Sequence, residues 1–182
     1  MSEFKEHHVV PDVIDTWPGE VVRVEYDSSH HVNLGNVLDV KSTQKLPKIF
    51  FNSDADQFYT VMVVDPDALS RETHEFRNFC HFVVVNVPGV SGDHVDVHKG
   101  HTVVPYMGPA PPPKTGLHRY VFLVYKQPAR YDTHNLQSFG SDKGAESRKS
   151  FIPDAWLQDS FGKQTPQLQA ANFFQAGEVH EK

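Results

Sequence analysis

Short apolar runs interrupted by turn residues dominate this chain, and they restrict it to a fold built mainly from strands. Five segments read as strands: residues 20–26, 48–51, 59–65, 79–87 and 118–125. They are rich in Val, Phe and Tyr, the side chains that suit a pleated and packed surface. Thirteen prolines and eleven glycines are scattered along the sequence, which fits many short strands joined by turns. The best helical pattern covers residues 143–159. Pro153 is expected to divide it in two, because proline lacks the amide that an inner helical turn requires. Residues 167–171 read as helical or irregular, and residues 90–106 as a long polar loop with a weak strand near Val103. The expected fold class is β-dominated, with helices added late in the sequence.

Size and charge narrow the function. A chain of 182 residues suits one domain, residues 1–182, since that length can enclose one core. No internal repeat or dividing linker is visible. The net charge of -6 argues against a nucleic-acid binder, which would present a basic face, but a local pocket can still oppose the overall charge. Cys80 is the only cysteine, so no intramolecular disulfide can form and a reducing, cytoplasmic setting is expected. The first residues carry no apolar core of a secretory signal, and the apolar stretch 79–85 is far too short to span a membrane. Contact with lipid would have to come through a pocket or a surface. A monomer is expected.

Polar residues stand where three strands should show apolar faces. With side chains alternating at period two, Val61, Val63 and Asp65 share one face. Phe79, His81, Val83 and Val85 share another, and His118, Tyr120, Phe122 and Val124 a third. Antiparallel pairing of 59–65 with 79–87 would bring Asp65 to His81 at one sheet rim, and His118 could join them. Taken singly, each has an ordinary alternative. A histidine at a strand start is more often structural, Asp65-Pro66-Asp67 suits a turn, and residues 108–113 could be only a connector. Asp93, His94, Asp96, His98 and His101 have near-ligand spacing, but the glycine and charge around them favour a solvated loop, so no metal and no cofactor are expected. A hydrolase would need a nucleophile or paired carboxylates. No G-x-S-x-G elbow is present, and on a regular strand Cys80 faces away from His81.

Taken together, several motifs resemble the phosphatidylethanolamine-binding protein family, which includes the Raf kinase inhibitor proteins. They are Asp65-Pro66-Asp67-Ala68-Leu69-Ser70-Arg71, the strand from His81 to Asn86, Gly108 with Pro111-Pro112, and TGLHRYVFLVYKQ at residues 115–127. The resemblance implies a Greek-key antiparallel sheet with a smaller second sheet and flanking helices. It also implies a non-enzymatic pocket for phosphate, phosphorylethanolamine or phospholipid head groups, formed by Asp65, His81, His118 and Tyr120. Gly108, Ala110 and Pro111 would form the rim, Phe76 and Phe79 the aromatic wall, and Arg71 a brace for the loop. Amides near Gly108 and Ala110 could donate to phosphate oxygens. Asp65 is expected to accept from a histidine and raise its pKa. Protein kinases are the implied signalling partners, with protease inhibition or hydrolysis at the same pocket as the alternative.

This sequence also departs from the family pattern. Leu69 stands for a proline, Phe79 for Trp, Ala110 for a glycine, and the order Pro113-Lys114 differs. Ala155 lies opposite the serine that switches kinase partners, which speaks against that switch. The chain is short after Phe173-Phe174-Gln175-Ala176, so the expected pocket lacks the terminal helix that covers it in mammalian members.

Overall fold

The computed structural model describes residues 2–179. Among the described residues, nine strands form two sheets: β1 (Glu20–Val21), β2 (Arg23–Glu25), β3 (Asn36–Val37), β4 (Lys48–Phe50), β5 (Phe58–Asp65), β6 (Phe79–Pro88), β7 (His101–Val104), β8 (Leu117–Lys126) and β9 (Gln167–Gly177). The large sheet runs β1-β9-β8-β5-β6-β7, with β3 also paired to β9, and β2 and β4 make a separate ribbon. The described residues also form three α-helices, α1 (Ser2–Glu6), α2 (Val9–Asp12) and α3 (Pro153–Phe161), and short 3-10 turns.

Strands β5, β6 and β7 follow one another, and β8 returns to lie on the free side of β5. That spatial order is the Greek key, as the resemblance implies. The sheet is mixed rather than purely antiparallel, because β1 and β3 both run parallel to β9. The strand expected at 20–26 is in fact shared between the sheets. Its first part joins β9 and its second part joins β4, while buried Val22 and Val24 hold both parts to one core.

Both faces of the large sheet are covered, which explains why β5 and β8 are apolar almost throughout. One core packs Val61, Val63, Phe82, Val84, Phe122 and Phe174 against Val24, Ile49 and Phe51 from the side of the small sheet. The other packs Met62, Val83, Val121, Leu123 and Phe173 against Phe4, Phe151 and Leu157 from the helical side.

Three sequence expectations change here. Residues 167–171 open the long strand β9 and are neither helical nor irregular. Of the helix expected at 143–159, the part before Pro153 holds only a single 3-10 turn, Glu146–Arg148, and the true helix begins at Pro153 and runs to Phe161. The third concerns β6. Val63 pairs with Phe82 but Val64 pairs with Cys80, so His81 is the extra residue of a β-bulge. The bulge reverses the alternation beyond it. Val83 and Val85 face the helical side together with Cys80, whereas His81 lies edge-on to Tyr120 on the opposite face, their rings 5.2 Å apart. The weak strand near Val103 is real, as β7. Among the described residues, no group of three or more His, Cys, Asp or Glu side chains could hold a metal ion. His94 instead pairs with its neighbour Asp93 at 2.6 Å, and Asp96 caps the turn at His98.

Candidate functional site

Because β5 sits between β6 and β8 and runs against both, its last residue meets the first residues of its two neighbours. Asp65 thus lies beside the start of β6, in register with Phe79, and beside the start of β8. A cavity of about 240 Å³ opens at this rim. Asp65, His81, His118 and Tyr120 contribute its polar side, and Phe76, Phe79, Ala110 and Pro111 line its wall. Gly108 does not line it. A Cβ there would come within 2.7 Å of the Gln44 backbone, so its place is a close approach between two loops. Ala110 is not among the residues with left-handed backbone, so its methyl group costs no strain.

Most polar atoms of the site are already bonded within the protein. His118 Nδ1 donates to Asp65 Oδ2 at 2.8 Å, and its Nε2 lies 2.8 Å from Thr115 Oγ1. The other Asp65 oxygen accepts the Asp67 amide at 2.7 Å. His81 Nδ1 lies 2.5 Å from the Met107 carbonyl. A carbonyl only accepts, so Nδ1 carries the proton. Within the cavity lining, Tyr120 Oη and His81 Nε2 have no hydrogen-bond partner among the described residues, and neither belongs to the buried unpartnered atoms, of which the described residues hold one, Asn78 Oδ1. Tyr120 and His81 are buried as residues, at 1% and 4% exposure.

Electrostatics sets their states. Burial pushes the Tyr120 phenol well above its usual range, and the nearby Asp65 carboxylate adds to this, so Tyr120 is a donor at any ordinary pH. Burial also lowers the pKa of His81, outweighing the opposing pull of Asp65. The histidine bonded to Asp65 is His118, not this residue. Asp65 spends its hydrogen bond on His118, and desolvation decides the state of His81. With His81 neutral, the site presents one free donor, Tyr120 O–H, and one free acceptor, His81 Nε2.

The loop carrying Asp65 is held from beneath. Asp67 is fully buried and binds the buried Arg119 through Nη2 at 2.6 Å and Nε at 2.9 Å. Arg71 reaches from Asp67, 3.4 Å away, to the Gln175 side chain at 2.9 Å, tying the loop to β9.

Sequence reasoning missed Leu69, Met107, Pro112 and the segment Gly144, Ala145 and Lys149, all of which line the cavity. The last three arrive from a distant part of the chain because Arg148 anchors them. Its guanidinium donates to the carbonyls of Gly140, Cys80, His81 and Pro105, at 2.9 to 3.2 Å. An arginine in a polar run was the available signal, but nothing local says that it is buried or which strand it binds.

Comparison with known proteins agrees with this geometry. The family model described as phosphatidylethanolamine-binding protein matches residues 28–167. The chain belongs to the phosphatidylethanolamine-binding protein family. It is 37% identical over 128 residues to a Drosophila melanogaster protein named for odorant binding, A5, covering 70% of this chain and 59% of that relative's length. The chain thus spans less than two thirds of that relative. It is 29% identical to the carboxypeptidase Y inhibitor of Saccharomyces cerevisiae, covering 97% of this chain and 94% of the inhibitor. The solved structure of carboxypeptidase Y inhibitor with its cognate proteinase superposes with a TM-score of 0.80 over 98% of this chain and 94% of that one. A phosphatidylethanolamine-binding protein from Plasmodium vivax shares the fold, with a TM-score of 0.75 at 21% identity over 98% of this chain and 97% of that one. Among the described residues no helix is long and apolar enough to cross a membrane.

Proposed function

We propose that the cavity binds, without catalysis, a small ligand with an anionic head of the phosphate or phosphorylethanolamine kind and an apolar remainder. The observation that carries this reading is the pair of atoms free of any partner within the protein among the described residues, Tyr120 Oη and His81 Nε2, carried by two buried residues that line the cavity. A donor and an acceptor that line one cavity without an internal partner can both bond to a ligand there. The amides of Gly108 and Ala110 also donate to no protein acceptor among the described residues, and Ala110 lies in the wall. Phe76, Phe79, Leu69 and Met107 suit an apolar body. The volume is below the roughly 300–1,000 Å³ of drug-sized sites, which favours a head group over a whole lipid.

Two features support a binding role over hydrolysis. Asp65 is the only carboxylate lining the cavity among the described residues, and both of its oxygens are bonded. Cys80 packs in the opposite core, where burial pushes its thiol up to about 12.

The test is an NMR titration with inorganic phosphate, phosphorylethanolamine and phosphatidylethanolamine vesicles as separate arms. Shifts converging on His81, Ala110 and Tyr120 are expected with the soluble ligands. A response to vesicles alone would assign the head group to a membrane source, and silence in every arm at millimolar ligand would end the proposal.

A second reading is inhibition of a carboxypeptidase, favoured by the likeness to carboxypeptidase Y inhibitor along nearly the whole chain. Undiminished peptidase activity of carboxypeptidase Y in excess purified protein would dismiss it.

A further inference from the structure

One cation lies against the cavity, and neither the family comparison nor the pocket residues read from the sequence include it. Lys149 is the only lysine or arginine that lines the space among the described residues. Its ammonium stands 4.3 Å from the centre of the Phe76 ring, a position that the negative face of an aromatic ring stabilises. It also donates to both oxygens of Glu146, at 2.8 and 2.9 Å.

The backbone below Lys149 is fixed. Arg148 is held by its four carbonyls, the Ser150 amide donates to Phe76 at 3.1 Å, and Phe151 and Asn78 exchange amide bonds at 2.8 and 3.2 Å. Besides the Phe76 ring, the Lys149 side chain bonds only Glu146 among the described residues, and the Glu146 side chain is 70% exposed. Exposed ion pairs of this kind are weak and readily exchanged. Glu146 lies outside the cavity lining, whereas Lys149 and Phe76 are within it.

We propose that Lys149 is the charge-selecting residue of the cavity, and that an anionic ligand replaces Glu146 as its counter-ion. This rests on the anion-pocket reading given above and adds the source of positive charge that the reading lacks. His81 is held neutral, His118 is committed to Asp65, and Tyr120 offers a neutral donor. Lys149 therefore supplies the one permanent positive charge among the described lining residues, which separates a phosphate monoester from an uncharged molecule of the same shape. Phe76 keeps the ammonium at the mouth during the exchange, so the ligand meets an ordered cation.

The experiment measures dissociation constants for inorganic phosphate and phenyl phosphate by calorimetry. It uses the wild-type protein, Lys149→Met, Glu146→Gln and the double variant, with thermal melts to confirm that all four fold alike. Loss of a charge-assisted contact is expected to weaken phenyl phosphate binding about tenfold in Lys149→Met. Removing the competing carboxylate in Glu146→Gln should strengthen it about threefold, and that gain should vanish in the Lys149→Met background. Equal affinity of wild-type protein and Lys149→Met overturns the inference and leaves the anion pocket standing. Weaker binding in Glu146→Gln overturns it too, because Glu146 would then be a helper and not a competitor. If the wild-type protein binds neither phosphate, the pocket reading falls and takes this inference with it.

Discussion

Replacing Tyr120 with phenylalanine deletes a single oxygen from the cavity and leaves the ring in place between His118, His81 and Phe174. That oxygen has no partner among the described residues, so the free protein has no internal hydrogen bond to lose. Stability should stay within about 0.5 kcal/mol of wild type, which for a chain of this size means a change in Tm of about 1–2 °C. The ligand-bound state is different. A hydrogen bond to a charged group contributes about 1.5–3 kcal/mol, and each 1.4 kcal/mol is about tenfold in affinity. Phosphate should therefore bind about 10- to 150-fold more weakly to Tyr120→Phe. Isothermal calorimetry with inorganic phosphate gives the affinity, and a thermal melt gives the stability. Wild-type affinity in the variant would refute the assignment of Tyr120 Oη as the ligand's donor. A fall in Tm beyond about 4 °C, roughly 1 kcal/mol, would show that the hydroxyl serves the fold instead.

Four further outcomes follow from the same geometry. Phosphate affinity should rise as pH falls. His81 is neutral in the free site, its pKa lies below 6.5, and an anion favours its protonated form, so binding takes up a proton at a limit of about tenfold per pH unit. A flat profile between about pH 5 and 8.5 would remove His81 from the site. The same lowered pKa makes the free protein lose stability on acidification, since the unfolded state binds the proton more readily; the contribution is present above pH 6.5 and lost below it, and a pH series of urea melts would reveal its sign. Asp67→Ala should cost about 3–5 kcal/mol in urea unfolding, because it strands the buried Arg119 guanidinium; a loss under about 1 kcal/mol would mean that Asp12, 2.9 Å from Arg119, suffices alone. Gly108→Ala should destabilise by about 1–3 kcal/mol, since its Cβ meets the Gln44 backbone at 2.7 Å, and an unchanged Tm would show that the two loops can part without cost.

Much of this architecture is written locally. The apolar runs of β5, β6 and β8 are continuous because both faces of those strands are buried, and each agrees with its observed element to within a residue or two. Asp65 and His118 sit at strand ends, where antiparallel pairing must bring an end to a beginning, so their meeting could be read from sequence once the strands were known to be neighbours. β9 was not legible in the same way. Ala, Asn and Gln fill its first half and have little preference for strands. They form one because Asn172 bonds the carbonyls of Val22 and Val32 and the amide of Leu34, all from a part of the chain some 140 residues away. The bulge at His81 was equally hidden, since one added residue leaves no mark in a pattern of alternating side chains.

The sequence by itself determined the strand-rich class, the family resemblance and the histidines and carboxylate of the rim, because these depend on residue type and short spacing. Only the tertiary structure decided which atoms of that rim remain free. Hydrogen bonding is a matter of distance, and partners such as Met107 for His81 and Thr115 for His118 are set by where the loops close. It also decided the neutral state of His81, since burial is a property of the packed chain. Lys149 entered the cavity for the same reason, brought there by an arginine bonded to the carbonyls of strands and loops that lie far from it in sequence.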